Sequence, residues 1–229
     1  MIFVIHAVAF DMDHTLFDRY ATIRAVMPAF CETFDVAVSV EEAAEMLCRY
    51  DKKLNYMGWP IVFNKLKEKG MFNTAPHFAQ YAAFLYEQFA TVSVDYPFTK
   101  PTLHELRRQG YKLAMITNGD HDIQAAKVEN LGYAPYFDEI IISGDFDWDK
   151  PDPEIFKETA KRLGVQPDEM VYVGDHPLND VDGARNAGCI PVWVKTTGVW
   201  DDDIAPAPYE VDTVADVPDI LAKIQSERG

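Results

Sequence analysis

In the stretch AFDMDHTLFD, Asp11 and Asp13 stand one residue apart directly behind an apolar run. Like charges crowded at the end of a buried strand raise each other's pKa and cost folding free energy, so something of opposite charge is implied. Two more acids, Asp175 and Asp180, follow a second apolar run at 170–173. An aspartate turn or helix cap accounts for one such acid, not for a second group behind another strand. Carboxylates gathered from separate strands are tolerated where a hard divalent cation sits among them, and Mg²⁺ takes a few such oxygens together with water and phosphate. Other apolar runs also end in polar residues, Thr117-Asn118-Gly119-Asp120 after 111–116 and Ser143-Gly144 after 139–142, which collect at one sheet edge if the strands are parallel. Lys150, in DKPDPEIF, is the basic residue of interest. Lysines are mostly exposed, but this one follows the third run, on a backbone stiffened by Pro151 and Pro153, towards an acidic cluster that otherwise lacks a cation.

The elements that must position these groups are legible from periodicity. The runs at 4–10, 111–116, 139–142, 170–173 and 190–194 are apolar almost throughout, which suits strands buried on both faces of a parallel sheet. Helical patterns alternate with them. In DPEIFKETAKRLG, Phe156, Ala160 and Leu163 share a face and Gly164 supplies the stop. This alternation predicts an α/β fold, a doubly wound, Rossmann-like parallel-sheet core.

From about Tyr20 to Tyr96 the rhythm breaks. Ser39 with Glu42 makes a capping box, and Val40, Ala43, Leu47, Tyr50 and Leu54 recur at helical spacing. A further helix is marked by Phe78, Tyr81, Ala82, Leu85, Phe89 and Val92, with Gly70 and Pro76 punctuating the interval. Pro28 is expected to kink or divide a first helix at 20–34. The expected organisation is a core of residues 1–18 and 98–229 carrying an inserted all-helical cap domain at 19–97. An insert after the first strand would emerge at the carboxyl edge of the sheet, where ligands bind in open α/β folds, and would work as a lid.

Over 229 residues, 21 basic side chains face 37 acidic ones, a formal charge of −16. Such a surface repels a phosphate backbone and excludes nucleic acid as a partner. A small anionic substrate therefore needs a local basic group or a cation. Cys31, Cys48 and Cys189 form no CxxC pair, which argues against disulfides and zinc and for a reducing, cytoplasmic setting. The opening MIFVIHAVAF lacks a basic n-region and falls short of the ~20 residues of a membrane span, so no membrane is expected. A monomer or a homodimer is compatible with this composition.

In order, Asp11-x-Asp13-x-Thr15, Thr117-Asn118, Lys150-Pro151 and Gly174-Asp175-x-x-x-x-Asp180 resemble the four motifs of the haloacid dehalogenase-like hydrolase superfamily. The insert resembles the C1-type helical cap of its subfamily I. The resemblance implies that Asp11 attacks phosphorus and forms an aspartyl-phosphate, and that Asp13 serves as general acid and then as general base. It implies Mg²⁺ held by the Asp11 carboxylate, the Asp13 backbone carbonyl and Asp175. Thr117 and Asn118 would hydrogen-bond the phosphoryl group, Lys150 would neutralise it and hold Asp11 ionised, and Asp180 would orient the metal's waters or Lys150.

The dehalogenases that name the family lack the second acid of the first motif, so Asp13 favours phosphoryl transfer. The expected activity is Mg²⁺-dependent hydrolysis of a small phosphorylated metabolite, on the family's phosphatase-like branch. A phosphomutase using the same intermediate, a metal-independent 2-haloacid dehalogenase and a non-catalytic phosphate-binding module stay open. One departure stands out: the position after Asp13 is most often glycine in the family and is His14 here. Neither His14 nor His176 is assigned a catalytic role. Asp18 reads as a bystander, Asp201-Asp202-Asp203 as solubility, and Tyr56 and Trp59 either as leaving-group contacts or as cap core.

Overall fold

The computed structural model describes residues 4–54, 58–197 and 200–229. The chain divides into two compact units, Met1–Asp18 with Asp95–Gly229, and Arg19–Val94.

The first unit is built on a six-stranded parallel sheet, in the order β3-β2-β1-β4-β5-β6. Its strands are β1 (Ala7–Phe10), β2 (Lys112–Thr117), β3 (Glu139–Ile142), β4 (Met170–Gly174), β5 (Ile190–Val194) and β6 (Tyr209–Val211). Central strands are buried on both sides because alternate residues serve different layers. Val8 and Phe10 pack in one cluster with Leu103, Leu106, Val128, Leu221 and Ile224, while Ala7 and Ala9 pack in another with Ile155, Phe156, Ala160 and Ala184.

Chain order runs outward from β1 to β3 on one side, then resumes at β4 on the other side of β1. The crevice between the carboxyl ends of β1 and β4 is thus the topological switch point, the place where open α/β sheets bind ligands. Register fixes what meets there: Phe10 lies opposite both Met115 and Val173, so the residues following β1 and β4 emerge side by side.

The second unit consists of α1 (Arg19–Thr33), α2 (Val40–Leu54), α3 (Trp59–Glu68) and α4 (Phe78–Thr91). The Ser39 Oγ accepts from the Glu42 backbone N–H at 3.2 Å. Pro28 does not divide the first helix, which runs through it. An interior proline costs about 3 kcal/mol, but α1 buries Ile23, Val26, Met27 and Phe30 in the unit's core, each contributing about 1.5–3 kcal/mol. Tertiary burial therefore exceeds the local penalty. Trp59 packs among these core aromatics, with its ring 6.1 Å from Tyr81 and 5.9 Å from Phe89. Tyr56 lies outside the described residues.

An ion pair is enclosed in this apolar unit. Arg19 donates through Nε and Nη2 to both oxygens of Asp51, at 3.1 and 3.0 Å, and the two side chains are 5% and 0% exposed. The guanidinium also sits over the rings of Trp59 and Phe89. Removing one partner of such a pair leaves a charge buried without its counter-charge and costs about 3–5 kcal/mol. Asp51→Ala is therefore expected to lower Tm by roughly 2–4 °C per kcal/mol lost. Thermal unfolding checks this, and an unchanged Tm would contradict it.

In the first unit, α5 (Thr99–Arg108) and α6 (His121–Leu131) flank β2, α7 (Pro153–Leu163) and α8 (Gly183–Asn186) flank β4, and α9 (Val217–Arg228) closes the chain. Asp152 and Gly164 cap α7 at its two ends. Among the described residues, no helix is long and apolar enough to cross a membrane. The three cysteines are free thiols.

Candidate active site

Beyond Phe10 the backbone holds to the sheet for one more residue: the Asp11 N–H donates to the Val173 carbonyl at 2.9 Å. The chain then turns, with the Leu16 N–H returning to the Met12 carbonyl at 2.9 Å. His14 makes that turn at a φ of 64°. This left-handed conformation explains why glycine is usual at such a position, and histidine is among the few other residues enriched there.

From β4 the chain delivers Gly174 and Asp175, and a π-helical turn over Pro177–Asp182 brings Asp180 back across the strand end. A Cβ at residue 174 would overlap the Asp180 carboxyl, so glycine is required for this approach. The Trp193 indole N–H fixes the Asp175 carbonyl at 2.8 Å. Lys150 is held from β2: the Asn118 Nδ2 donates to the Lys150 carbonyl and the Lys150 N–H donates to the Asn118 Oδ1, both at 2.9 Å. The Asn118 side chain is thereby committed to the Lys150 backbone. The Ser143 Oγ accepts from the Gly119 N–H at 3.0 Å and joins the same set of loops.

At the centre lies the Lys150 ammonium, 2.6 Å from Asp11 Oδ1, 2.7 Å from Asp180 Oδ1 and 3.0 Å from the Tyr172 hydroxyl. Tyr172 in turn donates to Asp180 Oδ1 at 3.1 Å, and the His176 N–H donates to Asp180 Oδ2 at 2.9 Å. Oxygens of Asp11, Asp175 and Asp180 all lie within 4.8 Å of one another, and all three residues are buried. Burial pushes the Asp11 carboxyl up, against the nearby Lys150 charge. Burial raises Asp175 well above the carboxylate range, with the Asp11 and Asp180 charges adding to it. Burial alone would lower the Lys150 ammonium, but Asp11 and Asp180 outweigh it and hold the proton there. Three carboxyl groups crowd one ammonium, so ionising all of them takes more positive charge than Lys150 supplies.

Asp13 is turned to a different set of partners. The Lys127 Nζ stands 3.1 Å from each of its carboxylate oxygens, and the Gln124 Nε2 stands 3.3 Å from Oδ2. The same Gln124 amide donates to the Thr117 Oγ1 and to the Asn118 carbonyl. The Asp13 side chain is 21% exposed, against 9% for Asp11.

All the site residues expected from sequence therefore gather at the ends of β1, β2 and β4 and on the loop beyond β3. Three groups went unread: Tyr172, hidden because it lies inside an apolar strand run, and Gln124 and Lys127, which sit in an ordinary mixed helix sequence. Their only signal is spacing, seven and ten residues past Thr117 and three apart, which places both on one helix face.

Residues 5–188 match the family profile described as haloacid dehalogenase-like hydrolase. The chain is 33% identical to a glyceraldehyde 3-phosphate phosphatase of Methanopyrus kandleri, with 98% of this chain and 100% of that protein covered. It is 30% identical to the N-acylneuraminate-9-phosphatase of Homo sapiens, covering 96% and 95%. Among solved structures, the HAD phosphatase from Thermococcus onnurineus aligns at a TM-score of 0.66 and 31% identity, covering 94% of this chain and 97% of that one. With the match spanning most of its length, this chain belongs to the haloacid dehalogenase-like hydrolase family.

Proposed function

We propose that the chain is a Mg²⁺-dependent phosphomonoester hydrolase acting on a small phosphorylated metabolite, with Asp11 as its nucleophile. The observation that carries this reading is the buried group of Asp11, Asp175 and Asp180 around the single Lys150 ammonium at the sheet's switch point. The phosphatase names of the full-length relatives support it. Asp11 attacks phosphorus in line, the bond to the ester oxygen breaks, and Asp13 gives that oxygen a proton. Water then attacks the aspartyl-phosphate and yields its proton to Asp13, so inorganic phosphate leaves and both acids return to their starting forms. Lys150 lowers the cost of ionising Asp11 beside the anionic substrate without cancelling the effect of burial, and Asp180 and Tyr172 aim that ammonium. Thr117 donates its hydroxyl to the phosphoryl group, and Asn118 does so through its main chain, its side chain being engaged with Lys150.

The donor set suits a hard cation, being carboxylate oxygens that burial and mutual repulsion leave undercompensated. The Asp11 and Asp175 carboxylates with the Asp13 carbonyl would hold Mg²⁺, which when bound neutralises charge on the phosphoryl oxygens.

The test is phosphate release from p-nitrophenyl phosphate by the full chain after chelation, with and without added Mg²⁺. The proposal expects release that returns with the metal. Metal-independent halide release from a 2-haloacid, or isomerised sugar phosphate without free phosphate, would contradict it.

A further inference from the structure

The helix α6 follows the strand-end loop that carries Thr117 and Asn118. Asp120 caps it, accepting from the Asp122 and Ile123 N–H groups. Its inward face presents Gln124 and Lys127, 3% and 4% exposed. Lysine is almost never so buried unless it is paired, and here its ammonium meets both oxygens of Asp13 at 3.1 Å. Gln124 reaches the same carboxylate from beside it while also donating to Thr117 and Asn118. One helix face therefore ties the turn after β1 to the end of β2 through both oxygens of Asp13, whose side chain stays 21% exposed.

We infer that Lys127 and Gln124 are positioning residues for the leaving-group step, holding the Asp13 carboxylate in the one orientation from which it reaches the ester oxygen. The inference rests on the reading of Asp13 as general acid. Proton transfer in the transition state needs the acid within hydrogen-bond reach of the oxygen it serves, and Asp13 sits on a turn, next to the left-handed His14. A carboxylate freed from α6 would sample other rotamers, and catalysis falls steeply with small displacements.

Leaving-group dependence tests this. Nitrophenolate departs without a proton, whereas the alkoxide of glycerol phosphate needs one. kcat/KM reports only the steps through departure, so the later base role of Asp13 does not enter. In the full chain with Mg²⁺, Lys127→Met should cut kcat/KM for glycerol phosphate by about 10²-fold and for p-nitrophenyl phosphate far less. Lys127→Arg should recover most of the loss, and Gln124→Leu should shift the ratio in the same direction by a smaller factor. Because both constants scale with the active fraction, the ratio is unaffected by partial misfolding. Asp13→Asn serves as the control. If it shifts the ratio and Lys127→Met does not, the positioning role is overturned; if Asp13→Asn itself leaves the ratio unchanged, the reading of Asp13 as acid fails and takes the inference with it.

Discussion

Asp11→Asn is expected to release phosphate at least about 10⁴-fold more slowly than the parent protein while folding to a structure no less stable in the absence of metal. The two outcomes have different causes. An amide cannot attack phosphorus, so the covalent route closes. Stability responds to burial: it pushes the Asp11 carboxyl up to about 7, even with Lys150 alongside. In the unfolded chain the same group titrates near 4. As pH rises between those values the unfolded state gives up a proton that the folded state keeps, so the parent loses stability through that window and has lost this contribution above about 7. Asparagine carries no such loss. In chelator, the Tm of the variant should therefore gain on the parent from about pH 4 to about pH 7 and then run parallel. Added Mg²⁺ should raise the parent's Tm and raise the variant's by less. Parallel curves from pH 4 upward would contradict the burial argument.

Lys150→Met is expected to give the largest loss of stability. Methionine has a similar length, but it leaves Asp11 and Asp180 facing each other with no ammonium between them. Breaking a buried pair in this way costs about 3–5 kcal/mol, which at roughly 2–4 °C per kcal/mol lowers Tm by about 6–20 °C. Turnover should fall with it, by about 10²-fold or more, since a positioned charge on the transferring group is lost. Changing Asp180 to Asn in the same protein should restore part of the stability and none of the activity. Calorimetry of the two variants in chelator decides the point, and a single variant as stable as the parent would contradict the charge account.

The parts of this architecture that sequence discloses are those where one local signal suffices. The apolar runs VIHAVAF and EIII disclose strands, although only Ala7–Phe10 of the first is strand, with Val4 and His6 exposed, and Glu139 and Ile140 of the second are half-buried; the polar residues behind them had to collect at one sheet edge once the strands were parallel. β6 escaped because Tyr209–Val211 is three residues long and its tyrosine and glutamate are not buried, so no apolar run marks it. Of the two outcomes expected at Pro28, division of the helix did not occur: the local rule against helix interiors gave way to burial of α1 against the rest of its unit. Long-range pairings were invisible for a related reason. Arg19 looks like a surface residue until Asp51 is placed against it, and Lys127 looks like one until the chain returns Asp13 to it from 114 positions away. Tyr172 reads as one more large residue in a strand, and only the fold shows its hydroxyl on Lys150 and Asp180. His14 departs from glycine in sequence, and the structure places it at a left-handed φ, where glycine is favoured and histidine tolerated.

The central claim is that phosphoryl transfer passes through Asp11. The direct measurement uses Asp13→Asn, in which loss of the general base should let the covalent intermediate accumulate. The variant is mixed with Mg²⁺ and p-nitrophenyl phosphate, quenched in acid, and digested, and the peptide carrying Asp11 is fragmented in a mass spectrometer. The account predicts a gain of one phosphoryl group, placed by fragmentation on Asp11 and absent when Asp11 is also changed to Asn. Phosphate release with that peptide unmodified, or with the phosphoryl group on His14, would contradict it.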